Sequence, residues 1–534
     1  MLKEINIDKK IETLIKVLCT ISAGFLTFMI SLRYEHNYTL AGVINSWLLV
    51  GVIMYYKVSI KKIDMKKLLF SIIPGLLVLN IAATRINADN LISYYPKYFH
   101  VRSFLMADLF RVMSFPLVLF ITYVFIDKIV PKIIEFIKSL DKVEKTFLIV
   151  SGIVGVVGTF ILADKTTAFT FPVYQGKFIK YDVIYTLDCT VDVFQNISSF
   201  ANDIRNPLFG IMAIPFAVVG LFIANLIPFG RNGYSFITLM SSIQVVVVAL
   251  TLVLLGRLLK LDKKNKVLFY IFCFSTLPFI LFSITIEQYV ISVFYLILFI
   301  YVYYETKTKK NFVYVASTGS ILTSGLLFPL ISKAKSFKKW LTDVFDCFLA
   351  FVTVTIVGGQ LPQVFEAVND VTTLLGSFSG KITEEVKLNR FTHFIKELFF
   401  AAPGQVKIPK TFPSYISLDP INISIIGIAI LLICIVSVFL NRKNNMAIIS
   451  GIWVLFSIIL LYVVGWGAPE NGYILYSYYF GWAYLILYFL FFKKIFEKKP
   501  KLFTGTIIAT IVIMLITNIP VMYKIIEFGI MYYR

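Results

Sequence analysis

The chain has 534 residues, of which 58% are hydrophobic, 16% aromatic and only 15% charged, and its formal net charge is +21. Soluble domains are about 45–50% apolar and about 25% charged, so the composition excludes a soluble enzyme, a secreted module and a disordered protein. The excess of Lys and Arg is not interleaved with aromatic residues on a polar surface. It therefore indicates positively charged cytoplasmic loops and anionic lipid, and no nucleic-acid partner.

Fifteen apolar stretches approach or exceed the roughly 20 residues that a membrane-spanning helix needs. In chain order they cover 14–32, 39–56, 68–84, 104–126, 147–163, 207–228, 234–256, 267–285, 288–304, 312–332, 340–357, 421–440, 446–465, 473–492 and 503–523. The first has no small-residue cleavage site after it, so it is a span and not a signal peptide. The pattern predicts an all-α polytopic membrane protein.

Lysine-rich loops set the predicted orientation. Loops 57–67, 127–146 and 493–501 all fall on the cytoplasmic side when spans are counted from a cytoplasmic N-terminus. Two further basic segments, 257–264 and 307–310, fall on the wrong side. We therefore expect that two of the fifteen stretches do not cross the membrane as single helices. Small polar residues interrupt 312–332, which predicts two half-helices that meet at membrane depth, and 234–256 is a candidate to turn back as well.

Two long polar segments, 164–206 and 358–420, are predicted to lie outside the cell. Long loops of this kind are usually functional. Each contains spaced apolar residues that predict a short interfacial helix, with a solvated hairpin as the alternative. The basic segment before residue 147 marks the predicted domain boundary. Residues 1–146 would form four transmembrane helices plus a basic cytoplasmic segment, and residues 147–534 one module.

The first outer loop concentrates acidic residues in a basic protein. Asp188 and Asp192 are four residues apart, so a helix would place them on one face. Such a pair can bind a divalent cation, or one member can act as a general base. Asp164, at the end of its span, is a rival base. The alternative is that outer loops carry acids only because Lys and Arg are disfavoured there.

The second outer loop carries cations at three-residue steps, as expected for one helical face. Lys387, Arg390, His393 and Lys396 form this series, and they could hold a phosphate group at the lipid surface, as could Arg205 of the first loop. The alternative is an interfacial helix with snorkelling cations.

Acidic residues elsewhere give weaker signals. Glu470 and Tyr473 could form a sugar-binding lip, although tyrosines at this position also suit an aromatic belt. Glu287, between two spans, would be notable only if it is buried.

Two short motifs resemble the GT-C superfamily of integral-membrane glycosyltransferases. One is Tyr185-Thr186-Leu187-Asp188 in the first outer loop, which is followed by Arg205-Asn206-Pro207 at the next helix. The other is Gly465-Trp466-Gly467-Ala468-Pro469-Glu470-Asn471-Gly472 before a Tyr-rich span. The resemblance covers about residues 147–534 and combines the layout of the loops with these motifs.

The resemblance implies a GT-C-like helical bundle and an inverting transfer of a sugar from a polyprenyl-phosphate-type donor to an extracytoplasmic acceptor. It implies Asp188 as the base and, where a metal is used, Asp188 and Asp192 as ligands of Mg²⁺ or Mn²⁺. The chain departs from the best-known members, which carry an Asp-Glu or Asp-x-Asp pair and His-Pro-Pro at the next helix, so the choice of aspartate stays open.

Two other function classes compete with a glycosyltransferase. An envelope polysaccharide polymerase or ligase would have similar spans but more outer arginines. A lipid-linked glycan transporter or flippase would have more charge inside its spans and paired repeats. The Lys-, Ile-, Asn- and Phe-rich composition suggests a bacterial plasma membrane. Expected partners are the lipid-linked donor, membrane lipid and a membrane protein that docks on the first four helices.

Overall fold

The computed structural model describes residues 4–31, 36–86, 103–166, 168–169, 173–174, 177–178, 206–226, 235–285, 287–306, 310–332, 335–361, 364–365, 369, 376, 379, 382–407, 414–417, 420–467 and 475–532. Within them, nine helices are long and apolar enough to cross a membrane, or ten if one pair bent by 75° counts as a span. Each of the fifteen predicted stretches contains a helix. The chain is an all-α polytopic membrane protein with three small two-stranded sheets.

The chain divides into two compact units. The first contains residues 1–141, 192–226 and 309–369, and the second contains 142–191, 227–308 and 370–534. The four N-terminal spans thus share a unit with two later segments. The boundary at residue 146 between two consecutive domains stays a prediction.

In its described ranges, the first unit has nine α-helices and one two-stranded sheet. The helices are α1 (Lys9–Ser31), α2 (His36–Tyr56), α3 (Met65–Ile86), α4 (Ser103–Val124), α5 (Val130–Ser139), α7 (Phe209–Leu226), α12 (Asn311–Ser320), α13 (Leu327–Ile331) and α14 (Phe337–Val357), and β1 (Glu4–Asn6) pairs with β2 (Lys62–Asp64). Close packing of α1 on α2 depends on Gly24, because a Cβ there would lie 1.9 Å from the Trp47 indole nitrogen.

The 312–332 stretch is broken, as its small polar residues predict. Helix α12 ends at Ser320 and a short 3₁₀ helix, Leu322–Leu326, leads into α13. The chain then returns to its starting point, since Lys310 Nζ lies 4.8 Å from the Phe328 ring centroid. The prediction that this stretch is broken into two half-helices is confirmed, and their meeting at membrane depth stays a prediction.

The part of the second unit that the structure describes has ten α-helices and two two-stranded sheets. The helices are α6 (Lys142–Lys165), α8 (Ser235–Leu258), α9 (Lys263–Phe274), α10 (Leu277–Ile284), α11 (Gln288–Glu305), α15 (Glu384–Glu397), α16 (Ile425–Leu440), α17 (Asn445–Ser457), α18 (Leu475–Ile495) and α19 (Pro500–Tyr532); the strands are β3 (Val173–Tyr174), β4 (Lys177–Phe178), β5 (Gly404–Lys407) and β6 (Ser414–Ser417). A π-helical turn, Ile458–Val463, extends α17.

Helices α6 and α8 lie antiparallel. The Thr159 and Ser242 hydroxyls are 2.7 Å apart, whereas the partner of Glu144 is Arg257, whose Nη2 lies 2.6 Å from Oε2. The carboxyl end of α6 and the amino end of α8 therefore lie at the same end of the second unit. The suggestion that 234–256 turns back is wrong, because α8 is one uninterrupted helix.

Helix α11 runs parallel to α8, since Gln244 contacts Glu287 at one end and Arg257 contacts Tyr301 at the other. The basic segment 257–264 and the carboxyl end of α11 therefore lie beside Glu144, which resolves the conflict that simple counting of spans creates. We call this the basic end of the second unit; it comprises residues 142–145, 257–266, 305, 441–445 and 493–501.

Candidate functional site

The opposite end of the second unit, which we call the α15 end, comprises α15, Glu287 and residues 464–467. Helix α15 includes the cations whose three-residue spacing predicts a helix in the second outer loop. Thr383 caps it by accepting a hydrogen bond from the Val386 amide, and the acidic first turn complements the helix dipole. Phe391, Phe394 and Ile395 bury one face, so the three-residue series of cations occupies the less buried side.

Helix α15 is fixed against the start of α16 by polar contacts. The Asn389 amide donates to the Ile421 carbonyl at 3.0 Å, and the Ser424 amide donates to Thr392 Oγ1, also at 3.0 Å. A Cβ at Gly427 would lie 1.9 Å from the Thr392 carbonyl oxygen, so only glycine permits this approach. The cations of α15 thus stand on a rigid support.

The Gly465-Trp466-Gly467 motif forms a compact turn beside α15. Both glycines have positive φ, +75° and +77°, a conformation that other residues rarely adopt. A Cβ at Gly465 would lie 2.9 Å from Lys387 Cε, and one at Gly467 would lie 2.7 Å from the Tyr476 ring. Trp466 Nε1 donates to the Tyr476 hydroxyl at 2.8 Å. The motif therefore links Lys387 to the Tyr-rich helix α18.

The cations of α15 are not equivalent. The Lys387 side chain is 12% exposed and pairs at 2.9 Å with Glu384, whose side chain is 73% exposed. His393 Nε2 lies 3.0 Å from the Asn422 carbonyl, which can only accept, so Nε2 carries the proton. Burial and the nearby Lys396 charge lower the pKa of His393 below its usual value. His393 is therefore neutral at pH 7 and adds no positive charge to the predicted phosphate site.

Glu287 is fully buried. Burial is the condition under which this acidic residue between two spans is notable. The Gln244 side chain forms two hydrogen bonds with the Glu287 backbone. Gln244 Nε2 donates to the Glu287 carbonyl at 2.6 Å, and Gln244 Oε1 accepts from the Glu287 backbone amide at 3.3 Å. The next tyrosine, Tyr289, packs against Tyr476 and Tyr479 with ring centroids 6.1 and 5.6 Å apart. A buried acid is a functional candidate by default in a membrane protein.

Asp164 is placed at the end of α6, with its side chain 73% exposed and paired at 3.0 Å with Lys165. Arg390 lies on α15, and its side chain is partly buried. The other predicted site residues lie outside the described residues: Asp188, Asp192, Arg205, Glu470 and Tyr473. In the part of the chain that is described, no three His, Cys, Asp or Glu side chains form a metal-binding group, and the predicted ligands Asp188 and Asp192 are not in that part.

Glu397, at the end of α15, should make stability depend on pH. Burial raises its pKa from 4.5 to about 7, so the folded state keeps a proton that the unfolded state loses. This stabilisation is complete below pH 4.5 and is lost as the pH rises through 7, which amounts to about 1–3 kcal/mol. We expect Glu397→Gln to abolish that loss, as measured by melting temperature at pH 5 and pH 8.

His393 acts with the opposite sign, because its lowered pKa favours the folded state at higher pH. It is present in both the wild type and Glu397→Gln, so the difference between their pH profiles reports on Glu397. Parallel profiles for the two proteins would contradict the assignment.

The fold defines the class of this protein as a multi-pass helical membrane protein. No family model, no curated protein and no solved structure matches the chain.

Proposed function

We propose that this chain is a membrane glycosyltransferase that moves a sugar from a polyprenyl-phosphate-type donor to an extracytoplasmic acceptor, with its active site at the α15 end. The proposal joins the GT-C-like motifs to one structural observation. Lys387, a mostly buried cation, is fixed between α15 and the Gly465 turn, and its partner Glu384 is largely exposed.

Lys387 suits the leaving group of such a reaction. An ammonium group with little solvent around it interacts more strongly with an anion than one in water does. Glu384 extends into solvent, so a donor phosphate can replace its carboxylate without displacing any packed group. Arg390, one turn further along α15, provides a second cation on the same helix face.

The transfer itself requires a base and little else. The acceptor hydroxyl oxygen attacks the anomeric carbon, the bond to the phosphate oxygen breaks, and the base takes the hydroxyl proton while the lipid phosphate leaves as an anion. Asp188 is the proposed base, with Asp192 and Asp164 as rivals. The exposed position of Asp164 beside Lys165 makes it the weaker of the two. Glu287, buried near Tyr289, is a further carboxylate to test.

The proposal is tested by reconstituting the protein in liposomes and measuring release of polyprenyl phosphate from a panel of short-chain polyprenyl-phosphate sugars. Asp188→Asn should lower turnover by about 10²- to 10⁴-fold, the usual contribution of a general base. Lys387→Gln should raise the KM for the donor by about tenfold or more, because a charge-assisted hydrogen bond to phosphate contributes about 1.5–3 kcal/mol.

Lys498→Gln is the matched control, because Lys498 is an exposed cation at the basic end and its loss should change neither constant. All variants should retain the wild-type melting temperature. If wild-type protein consumes no donor in the panel, the glycosyltransferase proposal fails and a polymerase or transport function takes its place. Addition of EDTA tests whether Mg²⁺ or Mn²⁺ at Asp188 and Asp192 is required.

A further inference from the structure

The basic end of the second unit contains a cavity of about 610 Å³ that the proposed transfer reaction does not use. Its walls come from the carboxyl ends of α8, α11, α16 and α18 and from the loop before α17. This volume is within the range of about 300–1,000 Å³ that is typical of ligand sites. Since all these helices end here, the cavity opens at the boundary between the apolar bundle and the basic loops.

The cavity is strongly positive. Lys260, Arg442, Lys443 and Lys494 line it, and Glu305 is its one acidic lining residue among the described residues. Lys494 is half exposed and pairs with Glu497, whereas neither Arg442 nor Lys443 has an ion-pair partner within the described part of the chain. Glu305 pairs loosely with Lys260, whose Nζ lies 3.8 Å from its carboxylate. The cavity therefore has positive charge that its own carboxylate does not neutralise.

Lys260 is held in an unusual backbone conformation. Its φ is +51°, the one positive value at a non-glycine residue in the described ranges. It closes the end of α8, where the Leu261 amide donates to the Gly256 carbonyl at 3.1 Å, a position that glycine usually fills. An L-residue there costs about 1–2 kcal/mol. Lys260 thus lies at the cavity wall although glycine would occupy this backbone conformation with less strain.

Polar groups that suit a phosphate diester complete the cavity. Three asparagines line it, Asn441 and Asn444 from the loop between α16 and α17 and Asn445 from the first turn of α17. One of them, Asn444, caps α17 by accepting from the Met446 amide at 2.9 Å, so the positive end of that helix dipole also faces this region. Amide donors beside several cations are the chemistry of a head-group site, and basic pockets between membrane helices bind anionic lipids.

We propose that this cavity binds the phosphate of an anionic phospholipid head group. The acyl chains of such a lipid would lie along the apolar surface of α16, which exposes Leu440 and Phe439 next to the cavity. That exposed apolar surface favours a lipid over a soluble phosphate compound as the occupant.

The test uses detergent-solubilised full-length protein titrated with dioctanoyl phosphatidylglycerol, dioctanoyl phosphatidylcholine and sodium phosphate, with the melting temperature as the readout. Phosphatidylglycerol should raise the melting temperature saturably, and the other two should not. Lys260→Gly and Lys443→Gln should each weaken binding about fivefold, as expected for loss of one cation near a phosphate. Lys260→Gly should not lower the melting temperature of the lipid-free protein, because glycine tolerates the backbone.

Two further variants make the test specific. Glu305→Gln should tighten binding, since it removes the acidic lining residue that repels an anion. Lys264→Gln removes an exposed cation in the first turn of α9, four residues after Lys260 but outside the cavity lining, and should leave binding unchanged. The proposal is overturned if Lys264→Gln weakens binding as much as Lys443→Gln does, if phosphatidylcholine stabilises equally, or if sodium phosphate alone reproduces the effect.

Discussion

Replacing Glu144 by glutamine should lower the free energy of unfolding by about 3–5 kcal/mol, the usual result of removing one member of a buried ion cluster. The Glu144 side chain is 1% exposed and accepts from two cations. Arg257 donates through Nε at 3.0 Å and Nη2 at 2.6 Å, and Lys266 Nζ lies 2.6 Å from Oε1. Glutamine would remove the negative charge that both of these largely buried cations contact.

Denaturant unfolding in detergent micelles, followed by circular dichroism, measures this effect. Glu135→Gln is the matched control, because it removes an exposed carboxylate close by in sequence, and it should change stability by less than about 0.5 kcal/mol. Replacing Glu144, Arg257 and Lys266 together by methionine should restore most of the loss, since apolar packing can replace a whole buried ion cluster. Equal stability of wild type and Glu144→Gln would contradict the buried cluster.

The same cluster explains why counting spans along the sequence gave an inconsistent orientation. Hydropathy identifies apolar helices well, because their composition is local, but it does not show which of them pair. The contact of Glu144 with Arg257 joins residues 113 positions apart, and it places two basic segments at one end of the second unit. No local pattern in the sequence contains that information.

Breaks within apolar stretches were partly predictable. The small polar residues between Ser317 and Gly325 predicted the break after α12, and the structure has it. The break between α9 and α10, with its 75° bend, was missed. Its signal was Ser275-Thr276 followed by Pro278, which suits the first turn of a new helix but is short within an otherwise apolar run.

The candidate site shows the same division between local and long-range information. Three-residue spacing predicted that Lys387, Arg390 and His393 share a helix, and α15 confirms it. The neutral state of His393 depends on burial and on the Asn422 carbonyl, which spacing does not reveal. The role of Gln244 in fixing Glu287 was likewise hidden, because the two residues are 43 positions apart.

Replacing Asn518 by leucine should destabilise the second unit by about 3–5 kcal/mol. Asn518 is fully buried near the middle of the long helix α19, and its amide serves three backbone groups in other segments. Nδ2 donates to the carbonyls of Ser275 at 2.7 Å and Phe399 at 2.9 Å, and Oδ1 accepts from the Ala401 amide at 2.8 Å. Leucine would leave these three buried groups unsatisfied, at about 1–3 kcal/mol each before relaxation.

Asn518 therefore joins the break between α9 and α10 to the segment that follows α15, so its loss should affect function as well as stability. Asn518→Asp separates the two halves of the amide: its carboxylate can still accept from Ala401 but cannot donate to Ser275 or Phe399. It should be as destabilising as Asn518→Leu at pH 7. Thr517→Val is the control, since the Thr517 hydroxyl donates only within α19 in the described residues, to the Ile513 and Met514 carbonyls and to Asn518 Oδ1 at 3.3 Å, and so joins no other segment. The measurement is the melting temperature of Asn518→Leu, Asn518→Asp and Thr517→Val. If Asn518→Asp is as stable as Thr517→Val, the hydrogen bonds that Asn518 donates do not hold these segments together.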